Sequence, residues 1–398
     1  MGHDSGNHWS NSRRIDTRGA ASRRGSYDRS HALPYPKTLR RLLSGLRLRG
    51  AGSWLLVSFA AFAAATPALA LEEFRFTDTK TFDVGMAPEI NIETVSGDAE
   101  YMAVAGTSAT VDIVIVIRAK DEAEAKQIRD ELGIKVEGRE GLLEAVVKQR
   151  RDFTRWLDDL FGKSRRVSVS FLVHGPKGAT GEISSVSGAA RVSGTTGPIN
   201  ISSVSGDVLA ENISARVNAN SVSGAVEVTD CRGPIHAETV SGDVTVDSCG
   251  GPLRGETVSG SLTAAMIAGD VDASTTSGDV RLRSIKGSVA ASTTSGEITV
   301  DHEGGSLDLE SVSGDLVARS AKASGLLTLE TVSGSVKVYV DSKDIGGVRL
   351  SSSSGDIEVD AGMKVRKHSR HELSGQLDGN DGELEVSTAS GDILVGEL

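Results

Sequence analysis

The sequence predicts an all-β chain: a parallel β-solenoid, or β-helix, with an N-terminal α+β cap. Three observations predict it. A Ser-Gly pair returns every 18 residues from Gly188 to Gly314, which makes seven complete repeats without an insertion. Apolar residues recur in fixed columns of that repeat. Aromatic residues are only 4% of the chain while glycines number 46, a composition that suits a thin core of Val, Ile, Leu and Ala.

Positions are counted here from the Ser-Gly glycine as zero. Position two holds Val208, Val226, Val244, Leu262 and Val280, and position four holds Val192, Ala210, Val228, Val246 and Leu282. Position seven holds Ile213, Cys231, Cys249, Ile267 and Ile285. Position eleven holds Ile199, Val217, Ile235, Leu253 and Val271, and position thirteen is small, mostly Ala. Position sixteen holds Val204, Val222, Val240, Val258 and Val312. The set two, four and seven thus recurs as eleven, thirteen and sixteen, so each coil reads as two nine-residue halves with all six columns inward. A two-residue step is strand alternation, with one face always inward.

Each coil therefore carries two short strands that face each other across the core and stack in parallel about 4.8 Å apart. Right-handed winding is the expectation for parallel crossovers. A left-handed triangular helix also takes 18 residues per coil, but its apolar beat is six and the beat here is nine. Glycines at position nine (Gly197, Gly233, Gly251, Gly269, Gly287, Gly305) mark the second turn, where positive φ is expected. Ser/Thr at fifteen and Ser at seventeen, as in Thr239 and Ser241, read as outward rows.

The elements before the repeat follow in order. Residues 1–70 carry eleven Lys/Arg against three Asp/Glu, whereas the whole chain has a net charge of −11. The acidic body excludes a nucleic-acid binder. An apolar run from Ser53 to Ala65 precedes Pro67-Ala68-Leu69-Ala70, so residues 1–70 read as a basic N-region and signal peptide cut after Ala70. The alternative is an N-terminal membrane anchor. Export to the periplasm or cell surface follows from the first reading.

Residues 71–175 form the α+β cap with a first coil segment. Leu71–Lys80 is expected as an extended or disordered lead. Glu89–Asp98 carries a first Val-Ser-Gly-Asp signature, and Ala109–Arg118 is a buried strand. Asp121–Leu132 is a helix with Asp121 as its cap and Gly133 as its stop. Ile134–Val136, Leu142–Lys148 and Val167–Val173 are further strands. A terminal coil needs such a cover over its core and strand edges.

Within 150–166 the residues Phe153, Trp156, Leu157, Leu160 and Phe161 form an apolar group flanked by basic residues. They are the candidate partner contact, with a short helix packed on the cap as the structural alternative. The solenoid spans 176–362. Its period slips after Gly314, to Gly334 and Gly355, and residues 363–398 form a basic loop and a final coil.

Few residues offer chemistry. Cys231 and Cys249, 18 apart in one inward column, stack on adjacent coils within disulfide range; a bridge and two buried thiols both fit. Asp207, Asp243, Asp279 and Asp315 follow the glycine on alternate coils and read as turn caps. His236 and His302 read as isolated outward residues, and His368-x-x-His371 has no third ligand in sequence. No nucleophile elbow, phosphate loop or metal cluster is apparent, so no catalytic residue, metal or cofactor is assigned.

The run Phe171-Leu-Val-His-Gly-Pro-Lys-Gly178, with Ser185-Val-Ser-Gly188 and the repeated Val-Ser-Gly-Asp-Val, resembles a bacterial family. It is the exported β-strand-repeat family of "putative adhesins", formally a domain of unknown function. The resemblance covers about residues 89–398 and departs at His174, where the family has an apolar residue. It implies a non-enzymatic exported envelope protein, an adhesin or scaffold. Family members also resemble envelope-stress components, so a sensor or regulator is one alternative, and the β-helix architecture itself leaves a polysaccharide-active enzyme as another. The partners expected for the chain are an envelope glycan, a membrane surface or an envelope protein.

Overall fold

Alternation of apolar and polar residues puts two strands in every coil. In the coil that starts at Gly224 they are Val226–Thr229 and Ile235–Glu238. Val226 and Val228 are buried and Glu227 is exposed, so the first strand has one dry face. The next coil repeats the placement 18 residues later, with Val226 opposite Val244 and Ile235 opposite Leu253, both in parallel register. Among the described residues, stacking yields two sheets of 15 and 16 strands around one continuous core of Val, Ile, Leu and Ala. The computed structural model describes residues 71–147, 167–322, 325–360, 364–369, 371–376, 379 and 382–398. Residues 1–70, expected as a basic N-region and signal peptide, and the 150–166 stretch lie outside the described residues.

Backbone contact explains the glycine column. A Cβ on Gly242 would stand 2.0 Å from the carbonyl oxygen of Gly224, and one on Gly260 would stand 1.8 Å from that of Gly242. Only glycine allows coils to approach this closely at that corner. The position-nine glycines have the same reason, which corrects the expectation of positive φ there. A Cβ on Gly251 would lie 2.2 Å from the oxygen of Gly233, and of that column only Gly305 has positive φ. The left-handed backbone lies instead at position six: Gly194, Asn212, Asp230, Ser248, Met266 and Ser284 have φ between 53° and 77°. This kink turns position seven back into the core.

The two halves of a coil are therefore not equivalent. In the second strand alternation runs unbroken through eleven, thirteen and fifteen. Thr239 at fifteen is buried while Val240 at sixteen is 42% exposed, and Val258, Val312 and Val332 are exposed likewise. The inward assignment of sixteen and the outward assignment of fifteen are both reversed.

At the N-terminal end the cap continues each sheet. Val167–Pro176 pairs in parallel with Ala99–Val104 and then antiparallel with Ser108–Ala119. Leu142–Val147 pairs with Glu89–Glu93, and Ile134–Arg139 closes that sheet. The single helix among the described residues, Glu122–Glu131, starts where Asp121 accepts a hydrogen bond from the Glu124 N–H. The lead is not a loose segment. Glu72–Asp83 is a twelve-residue strand, antiparallel to Ser108–Ala119 along its whole length.

The C-terminal end is not stacked in chain order. The last coil, with strands Gly382–Ser390 and Ile393–Glu397, lies between the coil of Leu326–Val340 and that of Ile345–Val359. Residues 364–369, expected in a basic loop, are a strand; with Glu372–Gln376 they add an antiparallel end to the second sheet. Among the described residues no helix is long and apolar enough to cross a membrane.

Candidate functional site

The repeated polar residues serve the backbone. Thr239 Oγ1 donates to Gly224 O at 3.0 Å and accepts from the Gly242 N–H at 3.2 Å. Ser221 and Thr257 do the same one coil away in either direction, and Ser203 two coils away, each joining two glycines. A buried hydroxyl with both roles filled carries little desolvation penalty and fastens adjacent coils. Ser311 is the exception. The strands lengthen there, Gly314 donates to Ser333 O, and Ser311 Oγ has no partner among the described residues.

The aspartates cap the next coil rather than their own turn. Asp207 Oδ1 accepts from the Ala225 N–H at 3.0 Å, Asp243 from Ser261 at 2.8 Å and Asp279 from Glu297 at 3.0 Å. Each carboxylate serves one coil boundary, and because the aspartates stand on alternate coils, like charges stay two coils apart. The amide bond to Glu297, together with Arg281 at 2.8 Å, holds the Asp279 carboxyl below the usual range.

The remaining outward columns form the surface of the second sheet. Position-sixteen side chains form an exposed row, with Val312 and Val332 about half exposed. Toward the C-terminal coils this row borders an open groove of about 640 Å³ on the second sheet. Thr294, Val312 and Val332 line one side, and Ser292, Glu310 and Glu330 the other. Glu310 and Glu330 are opposite each other on adjacent strands. The groove has hydroxyls, methyls and two carboxylates, and no His, Lys or Arg among its lining residues. Sequence reading missed it because position fourteen varies among Ser, Asn and Glu and position sixteen reads as inward.

Elsewhere the structure separates the candidate groups. Cys231 and Cys249 are buried free thiols. Their sulfurs donate to Thr229 O and Asp247 O, and the Cys231 N–H donates to Cys249 Sγ at 3.4 Å. The hydrogen bond to Cys249, reinforced by burial, pushes the Cys231 thiol well up. His302 is not outward. It is 2% exposed, with Nδ1 at 3.2 Å from Ser320 Oγ and Nε2 at 3.0 Å from Gly287 O, and burial lowers its pKa. Burial raises Glu93 and Glu182 near the N-terminal cap, the Glu93 charge adding to the effect on Glu182. Among the described residues no three His, Cys, Asp or Glu side chains converge as metal ligands. The candidate contact residues Phe153, Trp156, Leu157, Leu160 and Phe161 lie outside the described residues.

This arrangement of stacked glycine corners and parallel strands can be compared with known proteins. Residues 253–396 match the family model Toastrack DUF4097. The Toastrack match is to a domain of unknown function with a β-helix-like solenoid fold, and it covers the C-terminal coils. No curated protein matches the chain. Among solved structures, a "putative cell adhesion protein" from Clostridium sporogenes is 10% identical, with 82% of this chain and 100% of that one covered and a TM-score of 0.18. A "putative lipid binding protein" from Parabacteroides distasonis is 16% identical, covering 80% and 96%, with a TM-score of 0.31. A "putative adhesin" from Bacteroides fragilis is 13% identical, covering 81% and 97%, with a TM-score of 0.23.

Proposed function

We propose that the chain is a non-enzymatic, exported β-solenoid that acts at the cell envelope as an adhesin or scaffold. One observation carries the reading: the polar residues that recur in the repeat are occupied by the backbone. Thr239 joins two glycines and Asp243 caps the next coil, so neither row is left over as an acid, base or nucleophile. The segment before Leu71, with its apolar run and Ala-x-Ala-like end, supports export and cleavage after Ala70. Recognition is then a matter of the outward rows, of the groove at Glu310 and Glu330, and of the aromatic 150–166 element.

The test is to expose the purified protein to a glycan array and to isolated envelope fractions, with product release from polysaccharides followed in parallel. Saturable binding without released products supports the reading. Released oligosaccharides would overturn it in favour of a polysaccharide-active enzyme.

A further inference from the structure

We propose that the strand Glu72–Asp83 pairs edge to edge with the same strand of a second copy, antiparallel, about a two-fold axis through Thr79. The strand is the terminal member of the first sheet, and among the described residues only Ser108–Ala119 pairs with it. Its outer edge therefore presents a row of backbone donors and acceptors, the usual template for another strand. The residues that point to that edge can be identified. The Val84 N–H bonds Thr107 O in the unbroken register with the neighbouring strand. Even-numbered residues thus bond inward, and Arg75, Thr77, Thr79, Thr81 and Asp83 turn their N–H and C=O groups outward.

The side chains select one register. With Thr79 on the axis, Arg75 faces Asp83, Thr77 faces Thr81, Asp78 faces Lys80 and Phe76 faces Phe82, each pair occurring twice. Every outward-pointing residue then meets another outward-pointing residue, as antiparallel hydrogen bonding requires. Moving the axis to Asp78 sets Asp78 against itself and Glu73 against Asp83. Moving it to Lys80 sets Lys80 against itself, and moving it to Thr77 sets Lys80 and Asp78 against Phe74 and Phe76.

Arg75, Asp78 and Lys80 have no ion-pair partner among the described residues, so their charges are available to a second copy. Charges on an edge strand ordinarily discourage pairing. Here both signs are placed symmetrically about Thr79, which blocks the neighbouring registers and favours one closed, two-fold dimer over open stacking. Phe74 and Phe76 are half-buried, with Arg129 5.0 Å above the Phe76 ring, so the second copy's Phe82 would meet a ring already held in place.

Sedimentation velocity on the protein expressed from its full-length chain tests this, with charge-reversal variants at exposed positions. The wild type is expected at twice the chain mass. Lys80→Asp and Asp78→Lys each set like charges face to face and should weaken the dimer about tenfold or more. The double variant D78K/K80D restores opposite charges and should restore the dimer. Circular dichroism spectra should be unchanged in all three, which separates association from folding. A monomeric wild type, or single variants that dimerise as well as it does, would overturn the proposal.

Discussion

Asp243 Oδ1 accepts the backbone N–H of Ser261, on the following coil, at 2.8 Å. The contact links two coils through a side chain that is itself exposed. Asp243→Ala should cost about 1 kcal/mol, because the Ser261 N–H loses its acceptor at a corner where water replaces it only in part. Asp243→Asn keeps an oxygen in place and should lose less than half of that. Urea unfolding of the two variants checks the difference.

Met266 occupies a left-handed position, at φ 54°, where its neighbours in the column are mostly Asn, Asp, Ser and Gly. A long side chain has no intrinsic reason to adopt that backbone, and it is 55% exposed. Met266→Gly should raise stability by about 0.5 kcal/mol, the relief being partly offset by the entropy of glycine in the unfolded chain. Met266→Val should lower it by about 1 kcal/mol, since β-branching opposes positive φ. Thermal melting distinguishes the signs.

His302 gives a pH dependence whose sign follows from its burial. Its folded pKa lies below the ordinary 6.5, so the unfolded chain binds a proton more readily than the folded one. The neutral ring contributes its stability fully above about 6.5. That contribution falls as pH drops from there toward the lowered folded value. With the proton on Nε2, the ring donates to Gly287 O and accepts from Ser320, and protonation would turn Nδ1 into a donor and reverse the Ser320 contact. Melting temperature should fall between pH 7.5 and 5.5 in the wild type and fall less in His302→Gln.

Cys231 and Cys249 should resist a maleimide in the folded protein, because both sulfurs are buried and the Cys231 proton is held. Both should react once the chain is unfolded without a reductant. A chain that reacts only after reduction would show that the pair is bridged.

Much of the fold is legible in the sequence, because an uninterrupted 18-residue period forces equivalent residues onto equivalent sites. Val244, Val246, Cys249, Leu253 and the glycine stack follow from counting alone. The reversal at Thr239 and Val240 was hidden by the resemblance between the two halves of a coil. Hydropathy puts valine inside and threonine outside, but the alternation of the strand and the needs of two glycines decide otherwise. The strand Glu72–Asp83 was obscured for another reason: its partner, Ser108–Ala119, is distant in sequence and its own composition is polar. The slip after Gly314 is visible as lengthened spacing, yet nothing local indicates that the last coil lies between the two coils before it. The groove at Glu310 and Glu330 arises from columns that vary, and variation conceals a site from pattern reading.

The most direct measurement compares the unfolding free energies of Thr239→Val and Val240→Thr. Thr239→Val preserves shape and leaves the buried Gly224 carbonyl and Gly242 amide without a partner, and it should cost about 1–3 kcal/mol. Val240→Thr changes an exposed side chain and should stay within about 0.5 kcal/mol of the wild type. A larger loss for Val240→Thr than for Thr239→Val, or equal losses, would contradict the account that the repeat's hydroxyls are its internal fastening.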